Sequence, residues 1–138
     1  MANEDYLTFI GKGIEEIAAH GIVAIRDDLR TNPKFGGYGG CEERGCRLLF
    51  DLNLQCISVL IAFDCINSHD FNGLNYGSTM NDAAHAFGDP DMGGWIAVKH
   101  NWFIPERCFV FSLGPLQVEA IGSLVGKRLK RISIEKAT

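Results

Sequence analysis

The chain has 138 residues, of which 46% are hydrophobic, 10% aromatic and 22% charged, and its formal net charge is −4. This composition lies close to the globular average and excludes an intrinsically disordered protein. A chain of this length fits one domain that buries roughly 68–70% of its unfolded surface. We therefore expect residues 1–138 to fold as a single domain around one core, without a metal or a disulfide.

The N-terminus and the cysteine content predict the compartment. The first 16 residues carry acids where a secretory signal would carry Lys or Arg, and no apolar run approaches the roughly 18 residues of a membrane span. The five cysteines are an odd number, which favours reduced thiols over a disulfide framework. The sequence thus predicts a cytoplasmic protein with no membrane contact.

Charge is distributed unevenly along the chain. Residues 1–126 contain eight Lys/Arg against sixteen Asp/Glu, whereas residues 127–138 contain five Lys/Arg against one Glu. Between Arg47 and Lys99 there is no cation at all. A nucleic-acid surface needs clustered cations to neutralise phosphates, so this distribution argues against a nucleic-acid partner. The terminal KRLKR is expected to be the solvated end of a helix, where cations complement the helix dipole.

The first half of the chain predicts a helix, a loop and two strands. Asn3 can cap a helix whose apolar residues recur at helical spacing, and this helix either ends at Gly21 or continues to Arg30. Pro33 and the glycines that follow predict a loop over 31–45. From Cys46 the pattern alternates, with a hairpin turn predicted over 51–53. After Gln55 both faces are apolar, which predicts a strand covered on both sides.

The second half predicts a long polar loop, a hairpin and a final helix. Residues 67–94 are Gly-rich, with one short helix at 79–87 capped by Ser78 or Thr79. A strand over 96–104 is followed by a turn at Pro105 and a return strand over 107–113. Pro115 then opens a last helix with a long apolar stripe. The fold class predicted is α+β, a single domain with an antiparallel sheet packed against N- and C-terminal helices.

The stretch FGGYGGCEERGC, residues 35–46, invites comparison with phosphate and metal motifs. The dinucleotide pattern fails because Glu42 stands where the third glycine belongs, and the ATP loop fails because Cys46 and Arg47 replace its Lys-Ser/Thr. Cys41 and Cys46 lack the second ligand pair that a zinc site needs. The sequence therefore predicts neither a cofactor nor a metal.

Two functions from different classes fit the remaining features. One is an enzyme, a small hydrolase or transferase, that uses Cys41 or Cys46 in the loop 35–46 or the His and Asp residues of 67–95 as a Cys/His/Asp site. The other is a small non-enzymatic module that binds a partner protein with a basic or polar surface through acidic, Gly- and aromatic-rich loops. We favour the second, because no catalytic motif is complete.

The predicted partner-binding residues combine acids and aromatic side chains from both loops. They are Tyr38, Glu42, Glu43, Asp70, Tyr76, Asp82, Asp89, Asp91 and Trp95. In size, charge and element order the chain resembles bacterial secretion chaperones and immunity proteins that neutralise toxins, which implies an inhibitor- or chaperone-like role. No motif carries this resemblance. An exposed sheet edge could pair with a second copy of the chain, so the sequence predicts a monomer and a homodimer equally.

Overall fold

The computed structural model describes residues 3–26, 34–41, 45–63, 71, 73–88, 92–97, 105–123 and 128–137. Its helical elements are a 3-10 helix Asn3–Thr8 and the helices α1 Ile14–Ala18 and α2 Met80–Phe87. Its strands are β1 Val23–Arg26, β2 Gly37–Cys41, β3 Cys46–Phe50, β4 Cys56–Ala62, β5 Met92–Ala97, β6 Pro105–Leu113, β7 Leu116–Ser123 and β8 Leu129–Lys136. No helix among these residues is long and apolar enough to cross a membrane.

The strands form one antiparallel sheet in the order β1-β2-β3-β4-β8-β7-β6-β5. Strands β1 to β4 make one meander and β5 to β8 a second. The two meanders join where β4 pairs with β8, with Val59 opposite Ile134 and Ile61 opposite Ile132. The last strand of the chain therefore lies in the middle of the sheet, and the edges are β1 and β5.

The core lies between one face of this sheet and the segments that cross it. Alternate strand residues, including Leu48, Val59 and Ile134, are at most 1% exposed. The covering side is rich in aromatic rings: Tyr6 contacts Phe71 at 5.9 Å between ring centroids. Edge-on aromatic pairs of this kind stabilise a core beyond the area they bury, so the N-terminal segment is held firmly on the inner face.

The predicted α+β class, with the sheet packed against N- and C-terminal helices, is wrong, because the described residues form mostly one antiparallel sheet with short helices. The N-terminal segment holds only a 3-10 helix and one short α-helix, followed by β1. In place of the C-terminal helix, the chain turns at Gly114 and Pro115 and forms β7 and β8. Gly114 has a φ of +61° in this turn. In β8 the buried Ile132 and Ile134 alternate with the more exposed Arg131, Ser133 and Glu135, as strands require.

Residues 37–41 of the glycine-rich stretch are strand β2, although a loop was predicted over 31–45. Strand β2 lies between β1 and β3, and backbone atoms of these neighbours occupy the space that side chains on the glycines of β2 would need. A Cβ atom added at Gly37 would lie 2.7 Å from the carbonyl oxygen of Ile25, and one added at Gly40 would collide with the carbonyl oxygen of Cys46. The glycines therefore allow a close approach of three strands.

Local signals elsewhere predicted the elements well. Strands β3 and β4 flank the expected turn, where the Asp51 carboxylate accepts hydrogen bonds from the backbone N–H groups of Asn53 and Gln55. Helix α2 begins at Met80 with Thr79 as its N-cap. The Thr79 N–H donates to the Asp82 carboxylate over 2.8 Å, and the Asp82 N–H donates to the Thr79 hydroxyl over 3.2 Å. This reciprocal capping box satisfies two donors at the helix start.

Candidate functional site

Strands β1 to β4 differ sharply between their two faces. In β3, Cys46, Leu48 and Phe50 are buried in the core, whereas Arg47 is exposed and Leu49 half-buried on the opposite face. In β4, Ser58 and Leu60 are likewise half-buried on that opposite face. A sheet face that faces water is normally polar, so the leucines here call for an explanation.

This opposite face forms an open cavity of about 980 Å³, which we call the groove. Its lining comes from five neighbouring strands, β1, β2, β3, β4 and β8, together with Gly21. The lining residues are Gly21, Val23, Ile25, Tyr38, Gly39, Gly40, Arg47, Leu48, Leu49, Ser58, Leu60 and Ser133. Cavities that bind ligands fall in the range of about 300–1,000 Å³ and are mainly apolar, so the groove has the size and character of a binding site.

The most exposed part of the groove is its apolar rim. Val23 is 62% exposed, Tyr38 50% and Ile25 43%. Ile25 lies opposite Tyr38, which in turn lies opposite Leu49, so these side chains form one row across three strands. Contiguous exposed apolar surface of this kind marks protein- or ligand-binding grooves. Tyrosine suits such a position because it combines a large apolar ring with a hydroxyl group.

Among the described lining residues, Arg47 alone carries a charge. A second row crosses the groove beside the first, with Val23, Gly40 and Arg47 paired in register and Leu60 opposite Arg47. Gly40 has no side chain, so β2 contributes none between Val23 and Arg47 in this row. The hydroxyl groups of Tyr38, Ser58 and Ser133 complete the polar groups of the lining.

The structure does not bring the predicted partner-binding residues together in one site. Tyr38 lies in the groove, whereas Tyr76 lies before α2 and Asp82 belongs to its capping box. Tyr76 is 45% exposed, and the guanidinium of Arg128 stands 4.1 Å from its ring centroid. One ring face of Tyr76 is therefore already occupied by a cation–π contact, and Asp82 has a structural partner in Thr79.

The other six predicted residues have limited or no description in the structure. Trp95 lies in β5, paired in register with Arg107 at the sheet edge. Five more predicted residues lie outside the described residues: Glu42, Glu43, Asp70, Asp89 and Asp91. Their role in binding stays a prediction.

The described thiols are not poised for nucleophilic chemistry. Cys46 and Cys56 are buried in the core, and burial raises the pKa of the Cys56 thiol to about 12. Burial, reinforced by the Glu119 carboxylate, also raises the pKa of Cys108. Reactive cysteines need the reverse, a lowered pKa and access to solvent. The side chain of Cys41 is not described.

The described histidines do not complete a catalytic pair. The His20 ring lies 5.7 Å from that of Phe9, and His85 is exposed on α2. Within the described ranges, no group of three or more His, Cys, Asp or Glu side chains could hold a metal ion. The described residues therefore offer neither a Cys–His–carboxylate arrangement nor a metal centre.

Cys56 makes the stability of the fold sensitive to alkaline pH. Below the ordinary thiol pKa of 9.0 the thiol is neutral in both states, and its stabilising effect is fully present. As the pH rises from 9.0 towards about 12, the unfolded chain loses this proton while the folded chain keeps it, so the folded state is weakened. We expect wild type to lose more stability than Cys56→Ala over this interval, measured by urea unfolding at each pH.

The same burial should protect Cys56 from alkylation. In the folded protein, iodoacetamide should leave Cys56 unmodified, while urea-unfolded protein should react fully at this residue. Rapid modification of Cys56 in the folded protein would contradict its burial. Peptide mass mapping distinguishes Cys56 from the other four cysteines.

Sequence reasoning found Tyr38 but missed the rest of the groove. Val23 and Ile25 alternate in β1, and Leu49 and Leu60 lie on the face of their strands away from the core. The signal was present in the apolar residues on both faces of 56–63. It predicted a strand covered on both sides, whereas the structure places one face on the core and the other in the groove.

Comparison of the chain with models of known protein families, with curated proteins and with solved structures finds no match. The case for function therefore comes from the residues of the groove.

Proposed function

We propose that this chain is a non-enzymatic, cytoplasmic binding module that holds a partner protein in the groove on strands β1 to β4. The observation that carries the proposal is the exposure of Val23, Ile25 and Tyr38 on the rim of a large apolar cavity. Covering these side chains would remove apolar surface from water at roughly 25 cal/mol for each Å². The gain is available to the complex without any rearrangement of the core.

The groove also has the anatomy of an interface. Apolar side chains form its centre, Tyr38 supplies an aromatic anchor, and Arg47 and the serine hydroxyls supply polar contacts. Tyrosine and arginine are, with tryptophan, the residue types enriched among those that dominate binding energy. A chemical role would need an activated group, whereas the pKa values of the Cys56 and Cys108 thiols are raised.

A second candidate surface is the segment that contains Tyr76 and Asp82. Both residues were predicted from the sequence to bind a basic or polar partner as part of the acidic loops. Both tyrosines are about equally exposed, at 50% for Tyr38 and 45% for Tyr76. Because their chemistry and exposure match, the two residues allow a direct comparison of the two surfaces.

The test is affinity capture from the native host with two matched pairs of variants. We expect Tyr38→Ala to lower the yield of captured partner at least tenfold, which corresponds to about 1.4 kcal/mol of binding energy. Tyr76→Ala should leave the yield within about twofold, since side chains outside an interface contribute little. Ile25→Asp and Leu52→Asp form the second pair, because these residues are 43% and 49% exposed and only Ile25 lines the groove.

As a folding control, the melting temperature of each variant should lie within a few degrees of wild type, which corresponds to a loss of less than about 1 kcal/mol in the free energy of unfolding. If Tyr76→Ala abolishes capture while Tyr38→Ala does not, the partner binds at the acidic segment and the groove proposal fails. Equal capture by all four variants would also exclude the groove.

A further inference from the structure

Arg47 is the one charged side chain among the described residues that line the groove. Its guanidinium is exposed, and it makes no hydrogen bond or ion pair with any side chain that the structure describes. Two other arginines of the sheet have acidic partners: Arg26 pairs with Glu15 over 2.8 Å, and Arg131 pairs with Glu106 over 3.4 Å. Arg47 thus differs from them in having no described acidic partner.

The surroundings of Arg47 make an unpaired state costly once the groove is filled. Leu60 flanks it on one side, and on the other side Gly40 leaves no side chain between it and Val23. An apolar segment laid over this row would remove water from the guanidinium. Burying a charge without a partner costs several kcal/mol, so a purely apolar or a basic segment would be rejected here.

A carboxylate is the anion that matches this site best. Guanidinium and carboxylate groups form two parallel hydrogen bonds in one plane, which gives both strength and orientation. A phosphate dianion would need further positive charge, and Arg47 is the only cation among the described lining residues. The hydroxyl groups of Ser58 and Ser133 are neutral donors that suit a carboxylate.

We infer that the partner presents a segment in which one Asp or Glu is flanked by apolar residues, and that its carboxylate pairs with Arg47 while its neighbours cover Ile25, Leu49 and Leu60. This inference rests on the proposed function, because it concerns the same groove. It differs from the prediction of a basic or polar partner surface, since the charge that lines the groove is positive.

The test is selection of random peptides displayed on phage against the full-length protein. Wild type should enrich peptides with one Asp or Glu between apolar residues. Changing that acid to its amide in a selected peptide, or changing Arg47→Glu in the protein, should weaken binding about tenfold or more, as expected for breaking a desolvated charge pair. Arg47→Lys keeps the positive charge and should retain part of the affinity.

Three results would overturn the inference. The first is a consensus without an acid, and the second is the same acidic consensus on Arg47→Glu. The third is that the peptides enriched on wild type are enriched equally on Tyr38→Ala. The capture experiment is independent of these three results. If Tyr38→Ala abolishes capture whatever the peptides show, the proposed function stands and only the carboxylate segment is wrong. If capture is insensitive to groove variants, the proposed function itself fails.

Discussion

Gly40→Ala is expected to lower the free energy of unfolding by about 3 kcal/mol, because two separate penalties act at this position. Gly40 has a φ of +131°, a backbone conformation that side chains disfavour strongly. An added Cβ atom would also collide with the carbonyl oxygen of Cys46 and lie 3.0 Å from the Cα atom of Arg47. Relief of these contacts requires β2 to move away from β3, which weakens the floor of the groove.

Gly13→Ala is the matched control for this substitution. Gly13 precedes α1 with a φ of −72°, and a Cβ atom there would meet nothing within 4 Å. Because Gly13 is the N-cap of α1, where Ala is less favourable than Gly, the same chemical change should cost at most about 1 kcal/mol, well below the loss at Gly40. Urea unfolding of both variants tests the comparison, and equal stability of the two would contradict the close packing of β2 against β3.

Ile134→Ala is expected to cost about 2–5 kcal/mol, the range for removing a large aliphatic side chain from a close-packed core. Ile134 is fully buried in β8, between Val59 of β4 and Val118 of β7. Because β8 joins the two meanders, the cavity would lie at the centre of the sheet. The free energy of unfolding of a whole domain is only about 5–15 kcal/mol. This variant should therefore melt far below wild type.

Ile57→Ala makes the same change one strand away and should cost less than about 1 kcal/mol. Ile57 lies in β4 at the bulge opposite Leu49 and Phe50, and it is 36% exposed. Thermal unfolding followed by circular dichroism would compare the two variants. Similar losses for both would show that β8 is not the central strand of the core.

The fold could be predicted where the signal is local. Thr79 and Asp82 mark the start of α2 because a capping box is made within four residues. The alternation around Leu48 and the Asp51 turn likewise identify β3 and β4. In each case the residues that make the pattern also make the contacts.

The C-terminal strands could not be predicted because their partners are distant in sequence. A helical spacing fits Leu116, Ile121, Leu129 and Ile132. The two-residue spacing of one strand face also fits Ile132 and Ile134. The choice is made by pairing: Ile132 lies opposite Ile61 of β4, so the decisive contacts are remote. Tertiary context overrides local propensity in this way when a segment has an apolar pattern of both kinds.

The candidate site was predicted only in part for a related reason. The sequence singles out Tyr38 for its chemistry but places it in a loop over 31–45. The glycines around it have low strand propensity, and only the close approach of β1 and β3 explains why they form a strand. Without that strand, Ile25 and Leu49 have no reason to lie beside Tyr38, so the groove could not be foreseen.

Amide hydrogen exchange of the chain, free and bound to its captured partner, tests the proposed binding surface most directly. Slower exchange in the complex is expected in β1 and β2 and at Arg47, Leu49, Ser58 and Leu60, with little change in α2 and β6. Protection confined to the segment from Tyr76 to Phe87, with β1 and β2 unchanged, would contradict the groove as the site where the partner binds.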